Sequence, residues 1–306
     1  MSTLTQEVFA CMGNTADVTV IGDPSLLGVA QVRLGALEQR WSRFISSSDI
    51  CALNQSKGVP ISVHPDTITL VRYLVDAQRL TNRFFDPTLL PSLVQLGYAR
   101  SMTNASLVTQ LAGSLRWGEP LSATSIDVEN SIITLPTGLT LDPGGLGKGL
   151  AADIVASELR ELGAEGVCIS IGGDIRCAGI GPIDGAWSIP VASPFVESEE
   201  LATPTLSDGA IATSSLDAKT WSVGNKAMHH VLSPKTGRPL QRSADQVIQT
   251  TVIGAEAVWA EVFATVVLVA GVVEGFTQVE AAGLAALAVF SDGKCLESSH
   301  WREYTE

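Results

Sequence analysis

The chain has 306 residues, a length at which a single hydrophobic core approaches its upper limit of roughly 250–300 residues. Hydrophobic residues make up 45% of it and charged residues 17%, a composition that excludes wholesale disorder. Its formal net charge of −13 argues against nucleic acid or an anionic membrane as general partners, because both select for basic faces.

The hydrophobic segments of the chain are too short to predict a membrane span. The longest lies between Glu261 and Glu274, and its twelve residues fall short of the roughly 20 that a spanning helix needs. No Lys or Arg precedes Arg33, so the N-terminal segment lacks the basic start of a secretory signal. The five cysteines include no Cys-x-x-Cys pair, which is typical of reduced core thiols. These features together predict a cytoplasmic protein.

The first third of the chain predicts two helices. Asp23 and Pro24 form a helix start, because an N-cap residue is followed by proline at the first helical position, and this helix extends to about Phe44. Pro65 begins the second helix, in which apolar residues recur on one stripe. The polar stretch 46–49 between the two helices predicts a surface loop.

The remaining chain mixes strands and helices without regular alternation. Strands at 125–128 and 132–135 predict a hairpin, and an amphipathic helix from Leu146 ends at Gly163. Further predicted elements are strands at 166–171 and 247–253 and a long apolar helix at 255–272. This order favours an α+β domain, with a mixed sheet and packed helices, over a doubly wound parallel sheet.

The segment 141–153 reads L-D-P-G-G-L-G-K-G-L-A-A-D, a glycine-rich turn at the start of a helix. Glycines let backbone amides approach a phosphate, and the helix dipole favours negative charge there. A phosphate-binding P-loop is excluded, because Lys148 is followed by Gly149 rather than by Ser or Thr. Gly147, Gly149 and Ala152 satisfy the short dinucleotide fingerprint, but the alternating strand–helix pattern around it is missing. A glycine-rich helix entry that permits close packing is the structural alternative.

Three further features could carry chemistry. A predicted buried strand ends in Gly172-Gly173-Asp174, which either presents a carboxylate to a ligand or forms a tight capped turn. His229 and His230 are adjacent, so on a strand they point to opposite faces and one of them can enter a site. Glu261 and Thr265 are four residues apart on the long predicted helix, where a carboxylate and a hydroxyl could hold a hard cation such as Mg²⁺. Solvation of the carboxylate and packing of the threonine are the structural alternatives.

In order along the chain, these segments resemble the ApbE family of flavin transferases, which attach FMN from FAD to Ser or Thr of other proteins. The resemblance spans nearly the whole chain and implies a single ApbE-like module over residues 1–306, with an acceptor protein as partner. The motifs that carry it, in register, are Met12-Gly13, 48–54, Phe85-Asp86-Pro87-Thr88, Leu96-Gly97-Tyr98, 142–149, Gly172-Gly173-Asp174-Ile175, Ala212-Thr213-Ser214 and His229-His230-Val231-Leu232.

The resemblance also implies roles for individual residues. The implied Mg²⁺ ligands are the carbonyl of Gly145 and the side chains of Glu261 and Thr265. The implied catalytic residue is His230, which acts as a base for the acceptor hydroxyl. The implied FAD-binding residues are Met12, Phe44, Gly97, Tyr98, Asp142 and Lys148. The implied reaction is a Mg²⁺-dependent transfer of FMN from FAD to the hydroxyl, through a phosphoester bond, with AMP released.

Three positions depart from the family's pattern. Glu261 stands where the family usually has a metal-binding Asp, Ser233 replaces an Asp near the histidines, and Ser215 replaces the glycine of Thr-Ser-Gly. The Glu261 and Ser233 departures leave open a non-catalytic FAD-binding protein. An FAD pyrophosphatase that yields FMN and AMP, with water as acceptor, is a second alternative. The dinucleotide fingerprint leaves a nicotinamide-dependent dehydrogenase as a further alternative.

Overall fold

The structure, a computed structural model, describes residues 3–111, 115–196, 198–243 and 245–305. Within them the α-helices, in chain order, are Leu26–Trp41 (α1), Asp49–Asn54 (α2), Pro65–Leu80 (α3), Leu90–Gln95 (α4), Gly147–Glu161 (α5), Ala257–Ala270 (α6) and Val272–Ala281 (α7). The strands are Leu4–Cys11 (β1), Asn14–Ile21 (β2), Ile61–Ser62 (β3), Ser125–Asp127 (β4), Ile132–Thr134 (β5), Gly166–Ile171 (β6), Asp174–Gly179 (β7), Trp187–Ser188 (β8), Val191–Ala192 (β9), Glu200–Ala202 (β10), Thr205–Leu206 (β11), Gly209–Ser215 (β12), Thr220–Val223 (β13), Lys226–His229 (β14), Leu232–Ser233 (β15), Arg238–Pro239 (β16), Val247–Gly254 (β17), Ala285–Phe290 (β18) and Cys295–Glu297 (β19).

The chain forms two compact units. Unit 1 comprises Met1–Gly35, Lys148–Ser215 and Gln241–Glu306, and unit 2 comprises Ala36–Gly147 and Leu216–Leu240. The expectation of one functional module over residues 1–306 stays a prediction. No helix in the described ranges combines the length and the apolar character needed to cross a membrane.

Unit 1 contains a large sheet with the strand order β1-β2-β6-β7-β12-β17-β18-β19. Each of these neighbouring pairs is antiparallel. The predicted α+β class is confirmed, and the sheet is antiparallel where the sequence analysis expected a mixed one. Two-residue turns join β1 to β2 and β6 to β7, and such turns connect only antiparallel neighbours. This sheet also lacks the parallel strand–helix–strand setting that a dinucleotide fingerprint requires, so the dehydrogenase alternative is wrong.

Helix α6 packs against β12 and β17 in unit 1. Nearly all of its residues are apolar and most are buried, so the helix is enclosed by the protein on more than one side. The sequence predicted a single helix over 255–272. In the structure Gly271, at a φ of 78°, ends α6, and α7 begins at the next residue, because a left-handed residue cannot continue a right-handed helix.

Other predicted elements of unit 1 match the structure closely. Strand β6 has the predicted bounds, β17 is one residue longer than predicted, and α5 is followed by Gly163 at a φ of 97°. Helix α1 begins three residues after Asp23 and ends before Phe44. A hydrophobic core of this unit is built from both ends of its sequence: Ile21, Cys177, Trp187, Ile189, Val191, Leu206, Ile211, Ile253, Ala285, Leu287 and Trp301.

Unit 2 combines helices α2, α3 and α4 with a three-stranded sheet in the order β3-β5-β4 and two hairpins, β13–β14 and β15–β16. The predicted helix at Pro65 and the predicted hairpin of β4 and β5 are confirmed. The predicted surface loop at 46–49 is wrong in its second half. Ser48 is buried and caps α2, because its hydroxyl accepts the Cys51 N–H at 3.1 Å and donates to the Ser42 carbonyl at 2.7 Å.

Candidate active site

The glycine-rich segment brings α5 close to α6 in unit 1. A side chain on Gly149 would overlap the backbone of Ala257 at the start of α6, so the position requires glycine. This close approach lets the Gly149 N–H donate to Glu261 Oε2 at 2.8 Å. Close helix packing, the structural alternative weighed for this segment, is therefore present, and it delivers a carboxylate to the first turn of α5.

A charge cluster in unit 1 consists of Lys148, Asp174 and Glu261. The Lys148 ammonium donates to Asp174 Oδ2 and to Glu261 Oε1. The two carboxylate side chains are only 2% and 3% exposed, and the lysine side chain is 16% exposed. Two carboxylates against one ammonium leave an excess negative charge in a buried place, where it attracts a cation.

The pKa values in this cluster follow from burial and from the neighbouring charges. Burial alone would lower the pKa of Lys148, but Asp174 and Glu261 raise it above its ordinary value. Burial raises the pKa of Glu261, and the Asp174 charge raises it further, against the opposing effects of Lys148 and the Gly149 N–H. The ammonium is therefore held protonated, whereas the Glu261 carboxylate is destabilised and gains from any added positive charge.

Further oxygen atoms that could bind a metal ion lie on α6 and β12. Thr265 lies one helical turn after Glu261, and its Oγ1 is 3.4 Å from Oγ of Ser214 on β12. The described part of the chain contains no group of three or more His, Cys, Asp or Glu residues arranged to hold a metal ion. An ion here would rely on one carboxylate, hydroxyl oxygens and non-protein ligands, a set that fits Mg²⁺, which usually keeps waters and binds substrate phosphates.

Asp153 fixes the start of α6 in unit 1. Its carboxylate on α5 accepts the N–H groups of Ala257 at 2.9 Å and Val258 at 2.8 Å, and Arg176 lies 3.4 Å away. Burial nevertheless raises the pKa of Asp153 to about 6. Asp153 ends the glycine-rich segment, but its role could not be predicted from the sequence, because the two α6 N–H groups that donate to it lie about a hundred positions later in the chain.

Met12 lies in the turn between β1 and β2 of unit 1. It adopts a φ of 51°, and its carbonyl accepts the Asn14 side-chain amide at 3.1 Å. Asn14 in turn lies against Gly172, in the turn that leads into Asp174, and the Gly172 N–H donates to the Thr15 carbonyl at 3.0 Å. The structure therefore places the Met12 turn beside the Gly-Gly-Asp turn.

Three of the predicted FAD residues in unit 2 surround one guanidinium. Arg43 lies over the ring of Phe44 at 4.1 Å and over the ring of Tyr98 at 4.6 Å. Its Nε is 3.4 Å from Asp142 Oδ2, and its Nη1 donates to Thr109 Oγ1 at 2.5 Å. Arg43 was missed by the sequence analysis, since no local pattern signals a guanidinium buried against aromatic rings.

Trp221 also packs against the Tyr98 ring, and Phe44, Tyr98 and Trp221 together form the aromatic group of unit 2. The Trp221 ring stacks on Tyr98 with centroids 5.1 Å apart and an interplanar angle of 26°, and its indole N–H donates to the Leu96 carbonyl at 2.7 Å. Gly97, the exposed residue between these two contacts, precedes Tyr98 directly. Trp221, on β13, was also missed. Trp221 therefore contacts both sequence neighbours of Gly97, Leu96 and Tyr98, and Gly97 is a predicted FAD residue.

The two adjacent histidines differ in burial, but only His229 belongs to a strand, because β14 ends there and the strand alternation expected from the sequence does not extend to His230. His229 ends β14, is 5% exposed, and has its Nε2 3.0 Å from the Leu240 carbonyl. His230 is half-buried, and its Nδ1 is 3.3 Å from the Lys219 carbonyl. A carbonyl accepts only from a protonated nitrogen, so this contact assigns the neutral His230 the tautomer with an unprotonated Nε2.

The residues singled out from the sequence thus fall into two sets. Unit 1 carries Met12, Lys148, Glu261 and Thr265, and it brings the last three to the start of α5 and the middle of α6. Unit 2 carries Phe44, Gly97, Tyr98, Asp142, Gly145 and His230. The Asp142 carboxylate also accepts the Gly144 N–H at 3.0 Å, so it orders the turn that contains Gly145.

Known proteins resemble the chain over most of its length. The model of the ApbE family matches residues 12–288. A protein of Vibrio cholerae named FAD:protein FMN transferase is 25% identical over 293 residues, covering 91% of this chain and 85% of the relative. A protein of Chlamydia trachomatis with the same name is 27% identical over 236 residues, covering 75% and 71%.

Solved structures show the same fold. The ApbE protein of Thermotoga maritima matches with a TM-score of 0.85 at 21% identity, covering 99% of this chain and 100% of that one. The flavin transferase ApbE of Vibrio cholerae matches with a TM-score of 0.78 at 24% identity, with the same coverage.

Proposed function

The chain belongs to the ApbE family, and from that membership we propose that it is an FAD:protein FMN transferase. It moves FMN from FAD to a Ser or Thr hydroxyl of an acceptor protein and releases AMP. The observation that carries this proposal is the alignment of 91% of the chain with a relative that bears this name. The charge cluster and the aromatic group give the proposed reaction side chains of suitable chemistry.

FAD is the substrate, and the proposal assigns its contacts separately in each unit. In unit 2, Phe44, Gly97, Tyr98 and Asp142 bind FAD, since aromatic faces accept a planar ring by stacking. In unit 1, Met12 and Lys148 bind FAD. The Lys148 ammonium suits a pyrophosphate, because it is a point charge held protonated by its carboxylate neighbours.

The proposal includes Mg²⁺ and assigns its ligands separately in each unit. Glu261 and Thr265 are the proposed ligands in unit 1, and the carbonyl of Gly145 is the proposed ligand in unit 2. When bound, Mg²⁺ supplies positive charge that neutralises the pyrophosphate and steadies the leaving AMP. The excess negative charge beside Lys148 and the all-oxygen donors of α6 and β12 support this assignment. Glu261 carries one more methylene than the family's usual Asp, so its oxygens reach further from α6.

His230 serves as the base in the proposed reaction. The acceptor hydroxyl oxygen attacks the FMN-side phosphorus, a new P–O bond forms, and the P–O bond to AMP breaks. The hydroxyl proton passes to Nε2 of His230, the nitrogen left unprotonated by the contact of Nδ1 with the Lys219 carbonyl. This contact also orients the ring.

One incubation tests the proposal. The purified chain is mixed with FAD, Mg²⁺ and a candidate acceptor protein, and covalent flavin on the acceptor is measured by in-gel fluorescence and mass spectrometry. Labelled acceptor with stoichiometric AMP is the expected result. Free FMN and AMP without labelling would instead indicate an FAD pyrophosphatase, and bound but unchanged FAD would indicate a non-catalytic binder.

Variants of Glu261 test the metal assignment. Glu261→Gln keeps the shape but loses the negative charge that a hard cation prefers, so we expect it to abolish Mg²⁺-dependent turnover. Glu261→Asp restores the family's usual ligand and should be tolerated or activating. Activity and calorimetric Mg²⁺ binding are both titrated, with Glu274→Gln on α7, an exposed carboxylate, as the matched control. Equal Mg²⁺ dependence in all variants would remove Glu261 from the metal site.

A further inference from the structure

Arg43 is the residue that three predicted FAD residues of unit 2 share. It is 5% exposed, its guanidinium has the rings of Phe44 and Tyr98 at 4.1 and 4.6 Å, and its Nε faces Asp142. Its remaining donors reach Thr109 Oγ1 and the Tyr98 carbonyl. One cationic group therefore contacts two aromatic rings, one carboxylate, one hydroxyl and one backbone carbonyl.

The shape of the guanidinium explains why an arginine occupies this place. A planar guanidinium packs against aromatic rings while its edge donates several hydrogen bonds, which an ammonium cannot do. The Phe44 and Tyr98 rings that Arg43 contacts are tilted by 59° with their centroids 6.0 Å apart. The edge donors of Arg43 are directed at protein acceptors, so the group acts through its neighbours rather than as a phosphate ligand. The orientation of both rings then depends on the guanidinium.

We propose that Arg43 is a positioning residue for FAD binding. It holds the Phe44 and Tyr98 rings and the Asp142 carboxylate in the arrangement that receives FAD. The inference rests on the proposed function, since FAD is the ligand that these three residues have in common. It predicts an effect on FAD affinity, while the rate at saturating FAD is unchanged.

The test uses Arg43→Lys, which keeps the charge, and Thr109→Val, which removes one acceptor of the guanidinium and no FAD residue. We expect the FAD Kd and KM of Arg43→Lys to rise about tenfold or more, because a desolvated cation–π contact and a charged hydrogen bond are weakened. Thr109→Val should change both constants in the same direction by a few-fold. In both variants kcat should stay within about twofold of wild type. Arg40→Lys, which alters an ion pair with Asp66 in the same unit, is the matched control.

The outcomes separate this inference from the proposed function. A wild-type chain that fails to bind FAD in calorimetry would refute the proposed function, and the inference with it. Wild-type binding that is unchanged in Arg43→Lys and Thr109→Val would refute the inference alone. A fall in kcat at unchanged KM would also overturn it. If Arg43→Lys fails to fold, Thr109→Val alone decides the question.

An independent observation concerns two cysteines of unit 1. Cys168 on β6 lies directly opposite Cys177 on β7, and their sulfur atoms are 3.6 Å apart. The two-residue turn makes Ile171 and Asp174 the closing hydrogen-bonded pair, so by alternation Cys168 and Cys177 form a non-hydrogen-bonded pair. Such pairs have Cα atoms about 4.5 Å apart, within the roughly 4.4–6.8 Å that a disulfide requires.

We infer that Cys168 and Cys177 form an oxidation site for low-molecular-weight disulfides. The half-buried Cys168 sulfur, as thiolate, attacks one sulfur of the small disulfide and releases the first small thiol. The Cys177 sulfur then attacks Cys168 in the mixed disulfide, releasing the second. The two protein thiols lose two electrons and two protons, and the small disulfide is reduced to two thiols.

Oxidised glutathione is the probe for this site. After incubation, the unfolded chain should titrate three thiols instead of five, and peptide mapping should find the Cys168–Cys177 bond. Cys168→Ser and Cys177→Ser should each abolish that bond, whereas Cys295→Ser, which removes an exposed cysteine, should leave it unchanged. Five titratable thiols after oxidation, or glutathione attached to Cys295 without the mapped bond, would overturn the inference.

Discussion

In unit 1 the Lys148 ammonium contacts two buried carboxylates, whereas in unit 2 the Arg43 guanidinium contacts two aromatic rings and one carboxylate. The group around Lys148 carries excess negative charge, and the atoms there that could bind a metal are all oxygens. The group around Arg43 is balanced in charge and offers flat apolar surface. The first is suited to a cation and phosphate oxygens, the second to a planar ring.

The two groups also differ in how deeply their carboxylates are buried. The carboxylates beside Lys148 are 2% and 3% exposed, while that of Asp142 beside Arg43 is 15% exposed. A buried carboxylate that loses its cation cannot be rescued by water, but a partly exposed one can. Removing the Lys148 cation should therefore lower the free energy of unfolding more than removing the Arg43 cation does.

The largest effect is expected for Lys148→Met. It leaves Asp174 and Glu261 as uncompensated buried charges, so we expect a loss of about 3–5 kcal/mol in the free energy of unfolding. Arg43→Met leaves one partly exposed carboxylate and should cost about 1–3 kcal/mol. Urea denaturation of both variants measures the difference.

Lys226→Met, at an exposed lysine, is the control for the charge change alone. A triple variant that adds Asp174→Asn and Glu261→Gln to Lys148→Met should recover part of the lost stability, since no buried charge remains. Equal losses for Lys148→Met and Arg43→Met would show that burial does not distinguish the two groups.

The next prediction concerns the adjacent histidines. His230→Ala should lower the transfer rate about 10²–10⁴-fold and leave the FAD Kd nearly unchanged, because a general base contributes to the rate and little to ground-state affinity. His229→Ala removes a buried ring that contacts the Leu240 carbonyl, so it should lower stability by about 1–3 kcal/mol. Single-turnover kinetics and urea denaturation separate the two effects. Full activity in His230→Ala with loss in His229→Ala would reverse the assignment.

Elements that depend on local signals could be predicted from the sequence. Strand β6 is a short apolar run closed by two glycines, and helix α3 begins at a proline, so their bounds follow from neighbouring residues. The break between α6 and α7 has such a signal in Gly271, but the apolar run continues through it. The buried Ser48 was missed because its polar neighbours are typical of a loop.

The candidate site could be predicted only where a family motif stands. Lys148 and Glu261 are 113 residues apart, so their ion pair has no signature in spacing or periodicity. Apart from the contact of Arg43 with the adjacent Phe44, Arg43 and Asp153 make the hydrogen bonds that define their roles with residues 55 to 105 positions away, and the sequence motifs assigned neither of them a role. Tertiary structure was needed to find them.

A smaller effect is expected at Asp153, in its dependence on pH. Its pKa is about 6 in the folded chain and about 3.8 when unfolded, so the folded state keeps a proton that the unfolded state has lost. The stability that this group contributes is present below about pH 4 and is lost as the pH rises through about 6, a change of about 2–3 kcal/mol. Asp153→Asn should flatten the wild-type slope over that window.

Urea denaturation between about pH 4 and pH 7 measures the slope at Asp153. Asp292→Asn, at an exposed aspartate, should keep the wild-type slope. Parallel slopes for wild type and Asp153→Asn would contradict the raised pKa of Asp153. Any constant difference in the free energy of unfolding between the two proteins would then reflect only the lost contacts with α6.

The smallest effect is expected for Trp221→Phe in unit 2. Phenylalanine keeps a ring on Tyr98 but cannot donate to the Leu96 carbonyl, so the cost should be one hydrogen bond, about 1 kcal/mol. Trp221→Leu removes the stack as well and should cost more, by roughly 0.5–1.5 kcal/mol. Because both contacts flank Gly97, the FAD Kd should rise in step with these losses, by a few-fold for Phe and more for Leu. Calorimetric titration with FAD, beside urea denaturation, measures both quantities. An FAD Kd that is unchanged in Trp221→Leu would show that the aromatic group is held by Arg43 without help from β13.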